Sequence, residues 1–294
     1  MRLDTPNRAF VVLVGGAIVV LIAMALVACG VLGIVVHGLF VGTTTLTGLL
    51  SAALFALLVV AGGVAGLRSL RSQLRATRDL ARRVGAITLP LPTQVAEASR
   101  RLGLVGRVVV VDAAEPFSFA YGLTRPSVVV SSGLADAPVA ELDAVLSHER
   151  YHVQNLDPLK VLLTRTLSAT LFYFPVLRRF HHRYMTGREL AADRRAIEAH
   201  GRTPLAGALY RVVAGPHWPE LRAAAAMGDP DLLEARVAQL ETGREPDMSR
   251  AGWPAITVTV LAAAALLSAS IAAMSEMSRL MPTMMMQDVM EVNR

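Results

Sequence analysis

His148-Glu149-Arg150-Tyr151-His152 is the stretch of this 294-residue chain that indicates most about its fold and its chemistry. Residues four apart on a helix lie on one face about 5–6 Å apart, so the two imidazoles can share one ion. Imidazole nitrogen suits zinc, and Glu149 falls within one turn of both histidines. Such a carboxylate can take a proton from a water molecule whose pKa the metal has lowered to about 7. The stretch predicts a catalytic metal site, with two histidines spaced by chance as the alternative.

The neighbouring residues favour a helix with one buried face. Pro138 and Glu141 suit a first helical turn. Apolar residues at positions 139, 142, 145 and 146 recur at helical spacing. Asp157-Pro158 predicts the end of this helix, because a residue before proline avoids the α conformation.

A second helical motif follows, Arg188-Glu189-Leu190-Ala191-Ala192-Asp193. A zinc site with two histidines needs a third protein ligand and leaves one position for water. Of two carboxylates four residues apart, one can reach the metal while the other accepts a ring N–H from a ligating histidine. The alternative is a pair of solvated acids on a surface helix.

The composition indicates that much of the chain does not face water. Hydrophobic residues make up 53% and charged residues 18%, and the mean hydropathy is +0.48. An ordinary soluble domain carries about 25% charged residues. These values exclude intrinsic disorder and fibrous folds, and the single cysteine, Cys29, excludes a disulfide scaffold.

Three uncharged stretches are long enough to cross a bilayer, which takes about 20 apolar residues. They are Phe10–Val36, Leu46–Leu67 and Trp253–Met274, with 27, 22 and 22 residues. The predicted organisation is a two-span hairpin in residues 1–67, a domain long enough for its own core in 68–252, a third span in 253–274 and a tail in 275–294.

The distribution of arginine predicts the orientation. Arg2 and Arg8 precede the first span, the turn 37–45 has no Lys or Arg, and six arginines lie in 68–83. The positive-inside rule places the N-terminus and residues 68–252 in the cytoplasm and the tail outside it. The arginine run is expected to touch anionic lipid, and no direct nucleic-acid partner is expected.

The residues before Cys29 resemble a lipoprotein processing box, which leaves lipidation open.

The two motifs, separated by roughly 35–40 residues, resemble those of the gluzincin membrane metallopeptidases, HExxH followed by ExxAD. Pro116–Leu134 resembles the strand-turn-strand before the zinc helix of those enzymes. Asp157-Pro158-Leu159 and Phe172-Tyr173-Phe174-Pro175 resemble the segment between the ligands in the BlaR/MecR-type branch. The HtpX-type branch is a close relative.

The resemblance implies a role for each residue of the site. His148, His152 and Glu189 become the ligands of one zinc ion per chain, and Glu149 becomes the general base. Asp193 becomes the residue that orients a ligating histidine. The implied fold is α+β and mostly helical, with transmembrane helices and a cytoplasmic metallopeptidase domain that contains a small β-sheet.

The implied function is zinc-dependent endopeptidase activity at the cytoplasmic face of a bacterial cell membrane. The expected substrate is a BlaI-type repressor or a membrane-associated protein, and the oligomeric state stays open. The alternatives are HtpX-type quality control and a metal-dependent docking protein that does not cut.

The β-lactam sensors of the family end in an extracellular penicillin-binding domain, where this sequence has a 20-residue tail. Direct β-lactam sensing by such a domain is therefore not expected.

Further expectations concern the surroundings of the site. Residues 159–177 are expected to form a partly buried helix against the membrane, with re-entry on the same side as the alternative. Residues 107–112 and 127–131 predict strands. The resemblance implies that an edge strand beside the zinc helix pairs with the substrate backbone, and plain core β-structure is the alternative, above all for Val108–Val111. A late amphipathic helix is expected in Asp231–Thr242. Tyr151, His181 and Arg188 are equal candidates for stabilising the tetrahedral intermediate.

Overall fold

The computed structural model describes residues 5–41, 46–214, 230–243, 257–261, 264–265 and 268. Its helices and strands follow in chain order: α1 Thr5–Val41, α2 Leu46–Ala86, β1 Thr88–Leu89, α3 Thr93–Arg101, β2 Val108–Val111, β3 Ser118–Tyr121, β4 Ser127–Ser131, α4 Ser132–Ala135, α5 Val139–Gln154, α6 Asp157–Thr170, α7 Pro175–His200, α8 Arg202–Ala214 and α9 Pro230–Thr242. The fold is thus mostly helical with a small sheet, as the sequence predicts.

The described residues form two compact units. The first contains residues 5–11, 70–165, 180–214 and 230–243 and therefore the whole sheet and both sequence motifs. The second contains residues 12–41, 46–69, 166–179 and the described residues after 256. The predicted domain limits at 67 and 252 stay predictions.

Two helices among the described residues are long and apolar enough to cross a membrane. They contain the candidate spans Pro6–Gly33 and Gly48–Ala86, which belong to α1 and α2. Residues 257–261 of the third predicted span are helical, whereas most of that span and the whole tail 275–294 lie outside the described residues.

The sheet has four strands in the order β1-β2-β4-β3. β2 and β4 are parallel, with Val108 opposite Val128, whereas β1 and β3 are antiparallel to their neighbours. The two predicted valine-rich strands are therefore the centre of the sheet, and β3 is an edge strand. Successive side chains of a strand point to opposite faces, so each valine run supplies both layers of the core.

The two faces of the sheet are covered by different helices. Val108, Val110, Val128 and Val130 belong to a core that also contains residues of α3 and α5. The opposite face of the sheet packs against the end of α2 in a second apolar cluster. The members of this cluster are Leu80, Val84, Val109, Val111, Phe117, Phe119, Tyr121 and Val129. The sheet thus fixes α5, the helix with the first motif, by burying its apolar face.

The polar contacts of α5 hold it between neighbouring helices. Arg101 of α3 forms an ion pair with Asp143 at 2.8 Å, and Arg211 of α8 forms one with Glu141 at 2.6 Å. α8 approaches α5 closely because Gly207 has no side chain: a Cβ there would meet the Glu141 carboxylate.

The segment between the two motifs differs from the single helix that the sequence predicts. Residues 159–177 instead form most of α6, the connection 171–174 and the start of α7, which begins at Pro175, whose ring is compatible with a first turn. Within the second unit, a Cβ on Gly62 or Gly66 of α2 would meet Thr170, so the backbones pack closely there. The position of this segment relative to lipid stays a prediction.

Among the glycines next to the sheet, Gly133 is expected to tolerate an added side chain least. A Cβ at this position would overlap the backbone carbonyl of Ala114, which cannot move without disturbing the strand connection. We expect Gly133→Ala to lower the free energy of unfolding by about 1–3 kcal/mol, the usual cost of overpacking. Thermal unfolding of the full chain in detergent measures this change.

Gly85→Ala is the matched control, because a Cβ on Gly85 has open space around it within α2. Alanine is the better helix former, so this variant should unfold at the native temperature or slightly above it. Equal unfolding temperatures for both variants would contradict the packing argument at Gly133.

Candidate metal centre

α5 and α7 bring three side chains of the two motifs together. His148 and His152 lie four apart on α5, and their Nε2 atoms are 3.1 Å apart. Glu189 of α7 places its Oε2 atom 3.4 Å from Nε2 of His148 and 3.7 Å from Nε2 of His152. All three side chains are buried. One atom from each lies within 4.8 Å of the other two, a spacing that suits a single ion.

The other nitrogen of each imidazole contacts a buried carboxylate. Nδ1 of His148 lies 2.7 Å from Oδ1 of Asp193, and Nδ1 of His152 lies 2.7 Å from Oδ2 of Asp157. When Nδ1–H donates to a carboxylate, the lone pair of Nε2 is directed to the opposite side. Two such lone pairs beside a carboxylate oxygen repel one another unless a cation lies among them. The residues therefore fit a divalent metal ion held by two imidazoles and one carboxylate.

The carboxylates of Asp193 and Asp157, which contact the two imidazoles, are each held by one further residue. Arg236 of α9 donates two hydrogen bonds to Asp193, at 2.7 and 2.9 Å. The hydroxyl of Tyr184 donates to Oδ1 of Asp157 at 2.8 Å. A buried carboxylate needs such partners because water is not there to solvate it. They fix the carboxylates that in turn fix the imidazoles.

Three of these supporting residues were not predicted as part of the site. The sequence indicates only a helix end at Asp157, and it places Arg236 only within the amphipathic helix expected in Asp231–Thr242, which the structure contains as α9. Tyr184 was not singled out. A carboxylate five residues after His152 was a usable signal for Asp157. Nothing in the local sequence around Tyr184 and Arg236 indicates their partners.

The buried ionisable groups of the cluster strongly shift one another's pKa values. Burial alone would lower the pKa of His152, but Glu189 and Asp157 outweigh it and raise the pKa to about 10. For His148, Asp193 and Glu189 likewise outweigh burial and raise the pKa. Burial would raise the pKa of Glu189, yet His152 and Arg188 hold it well below the ordinary value. The cluster thus attracts positive charge, which a proton or a metal ion can supply.

Asp193 stays ionised for a related reason. Its burial favours the neutral acid, but the Arg236 guanidinium and His148 together lower its pKa below the ordinary value. Because the carboxylate keeps its charge, it attracts the imidazole of His148, whose Nδ1 lies 2.7 Å away.

Glu149 lies beside the cluster with its two oxygens in different surroundings. Oε1 accepts a hydrogen bond from the hydroxyl of Ser118 at 2.8 Å. Oε2 is buried and has no hydrogen-bond partner among the residues that the structure describes. The carboxylate is therefore held on one side and available for a reacting group on the other.

A cleft of about 730 Å³ opens beside these side chains, entirely within the first unit. Its floor contains the three clustered side chains and Glu149. Its walls are mostly apolar. They include Phe117 just before β3, Phe119 and Tyr121 of β3, Leu162 of α6, and Leu205, Leu209 and Val212 of α8. The cleft can accept a chain segment with apolar side chains.

The structure distinguishes between the three candidates for stabilising the tetrahedral intermediate. Arg188 lines the cleft, with Nη2 3.1 Å from Oε1 of Glu189. Its Nε atom is buried and makes no hydrogen bond within the described part of the chain. Tyr151 instead packs against Ala191 and Ala192 and is not among the residues that line the cleft.

His181 is outside the cleft lining as well, with Nδ1 2.9 Å from the hydroxyl of Thr164. Burial, together with Arg165 and Arg188, lowers the pKa of His181 to about 4, so the ring is neutral at pH 7. A neutral ring that already contacts Thr164 is poorly suited to stabilise negative charge. Arg188 is the candidate that the geometry favours.

The sequence model of the family described as BlaR1 peptidase M56 matches residues 39–240, more than half of the chain. The match includes both motifs, the sheet and most of α9. It confirms the resemblance to the BlaR/MecR-type membrane metallopeptidases and the α+β fold with membrane-spanning helices.

Metal affinity is expected to depend on Asp157. Asp157→Asn keeps the size of the side chain but removes the charge that holds the His152 imidazole. We expect metal affinity about 10- to 100-fold lower, the usual effect of losing such an outer contact. Competition with a chelator of known affinity measures the change.

Asp143→Asn is the control, because Asp143 lies on α5 but pairs with Arg101 away from the cluster. It should bind metal with native affinity. Native affinity in the Asp157 variant as well would show that this carboxylate does not act on the metal site.

Proposed function

Since the chain belongs to the BlaR1 peptidase M56 family, we propose that it is a zinc-dependent endopeptidase acting at the cytoplasmic face of the membrane. Family membership makes the chain a membrane-associated metallopeptidase, an enzyme whose substrate is protein. Zinc as the metal, the cytoplasmic orientation and the substrate are the proposed parts. The observation that carries the proposal is the buried Glu149 carboxylate in one cleft with His148, His152 and Glu189.

His148, His152 and Glu189 would hold one zinc ion per chain. Two imidazoles and one carboxylate are a ligand set of catalytic zinc sites, which leave a position open for water or substrate. Zinc bound there supplies Lewis acidity, which lowers the pKa of water and polarises a carbonyl group. Asp193 and Asp157 keep the two imidazoles in the tautomer that ligation requires.

Glu149 acts as the general base. Its Oε2 takes the proton of the attacking water, and the same carboxyl then gives that proton to the departing amine. The transfer is possible because Oε2 has no hydrogen-bond partner in the described residues and Glu149 lines the cleft. Arg188 supports the reaction by stabilising the negative charge that develops on the carbonyl oxygen.

The substrate binds in extended form along β3. β3 pairs with β4 on one side, and no described strand pairs with its other edge. An extended peptide can add to such an edge through backbone hydrogen bonds, which tolerate many side chains. Phe117 and Phe119 then offer aromatic surface to the apolar side chains of the substrate.

The proposed role is regulatory proteolysis in a multi-pass protein of the bacterial cell membrane. The arginine run after the apolar half of α2 supports a cytoplasmic position of the catalytic unit. A BlaI-type cytoplasmic repressor or a membrane-associated protein is the proposed substrate. HtpX-type quality control and metal-dependent docking without cleavage are the competing functions.

Glu149→Gln is expected to lower the cleavage rate by about 10²- to 10⁴-fold, the usual contribution of a general base. The zinc content should stay at one per chain, because Glu149 is not a proposed ligand. The assay uses the full chain in detergent with zinc supplied. It follows cleavage of an unfolded protein and of a BlaI-type repressor, and metal analysis accompanies each sample.

Glu141→Gln is the matched control on the same helix, since Glu141 pairs with Arg211 at a distance from the cluster. It should cleave at the native rate. If signalling output in cells survives in Glu149→Gln with zinc bound, the chain is a docking protein and the peptidase proposal is wrong. Cleavage of the unfolded protein but not of the repressor would favour quality control.

Arg188→Gln is expected to lower kcat by about 10²- to 10³-fold, as the loss of an oxyanion donor does in other hydrolases. Because Arg188 also contacts Glu189, zinc content is measured beside kcat. Arg195→Gln, which removes an exposed arginine of the same helix, is the control. A native kcat in the Arg188 variant would remove this residue from the mechanism.

A further inference from the structure

The hydrogen bond from Ser118 to Glu149 connects two parts of the cleft that are far apart in sequence. Ser118 is the first residue of the edge strand β3, and Glu149 lies on α5, 31 residues later. The hydroxyl lies 2.8 Å from Oε1, an ordinary distance for an O–H···O hydrogen bond. Neither motif of the sequence indicates this contact.

The contact makes the two oxygens of Glu149 unequal. Oε1 is occupied by the serine hydroxyl, whereas Oε2 is buried and has no hydrogen-bond partner within the described residues. The terminal torsion of a glutamate side chain is broad and nearly two-fold, so an unrestrained carboxylate would exchange its oxygens and change its direction. A hydrogen bond on one oxygen restricts this rotation.

The serine side chain is not needed to hold the strand itself. β3 is fastened to β4 by backbone pairing, with Ser118 opposite Val130 and Ala120 opposite Val128. Phe119, between them, packs into the cluster on the other face of the sheet. Ser118 therefore lies on the face of β3 that approaches α5, and its hydroxyl is available for the carboxylate.

We propose that Ser118 is a positioning residue for catalysis. Its hydroxyl holds Glu149 through Oε1, so that Oε2 is the oxygen that accepts the proton of the attacking water and returns it to the departing amine. The proposal rests on the proposed peptidase function. It also ties the base to the strand along which the substrate would bind, because donor and binding edge belong to β3. The spacing between the base and the scissile bond is then set by one strand rather than by the flexible glutamate side chain.

The test compares Ser118→Ala with Ser118→Thr in the full chain, in detergent with zinc supplied. Alanine removes the donor, and threonine restores a hydroxyl in a residue that suits strands. We expect kcat about 10- to 100-fold lower in Ser118→Ala, the range for a lost hydrogen bond to a charged group, with native KM and one zinc per chain. Ser118→Thr should recover most of kcat.

Ser127→Ala is the matched control, since it removes a hydroxyl from the neighbouring strand at a residue outside the cleft lining. A second readout does not depend on turnover. A peptide hydroxamate needs a carboxylate to take its acidic proton, so its affinity should fall in Ser118→Ala and in Glu149→Gln and recover in Ser118→Thr. Calorimetric titration measures these affinities.

Native kcat and native hydroxamate affinity in Ser118→Ala would overturn the proposal. A loss that threonine does not repair, accompanied by a lower unfolding temperature, would overturn it as well and assign Ser118 to the structure of the strand. If the native chain and Glu149→Gln are equally inactive with zinc bound, the proposed function fails. The hydroxamate comparison then still decides whether Ser118 positions the carboxylate.

Discussion

Each clustered imidazole is anchored by a buried carboxylate through Nδ1, and the rest of the site depends on this interaction. Asp193 holds His148 and Asp157 holds His152, each at 2.7 Å. A histidine that is free to rotate could direct either nitrogen to the ion, and both anchors remove that choice. The convergence of the two Nε2 atoms is the direct consequence.

Burying several charges in one place is unfavourable unless each has a partner. The guanidinium of Arg236 offsets the negative charge of Asp193. The hydroxyl of Tyr184 donates a hydrogen bond to Asp157, and Arg188 forms an ion pair with Oε1 of Glu189. The apolar core beneath α5 adds stiffness, because the valines of β2 and β4 pack against this helix. Charge compensation and packing together produce a preorganised site, which is what electrostatic catalysis requires.

The parts of the site that the sequence predicted share a common physical basis, which is helical spacing. His148 with His152, and Glu189 with Asp193, each lie four residues apart, so a local pattern places them on one face. The valine runs likewise predicted the central strands by composition. Arg236 reaches Asp193 across 43 residues, and Tyr184 reaches Asp157 across 27, separations at which no periodic signal exists. The apolar composition of residues 159–177 predicts one helix, whereas Pro175 within that run is the usable signal for the break between α6 and α7.

The contribution of α9 also determines when the site is complete during synthesis. A ribosome makes the chain from the N-terminus, and residues fold as they emerge. His148, His152, Glu189 and Asp193 are all available before Arg236 has been added. Until then the buried Asp193 carboxylate lacks its guanidinium partner, so the fully compensated site can form only after translation of the catalytic unit is nearly finished. A nascent chain is thereby kept from acquiring the mature arrangement while its own unfolded segments are still close by.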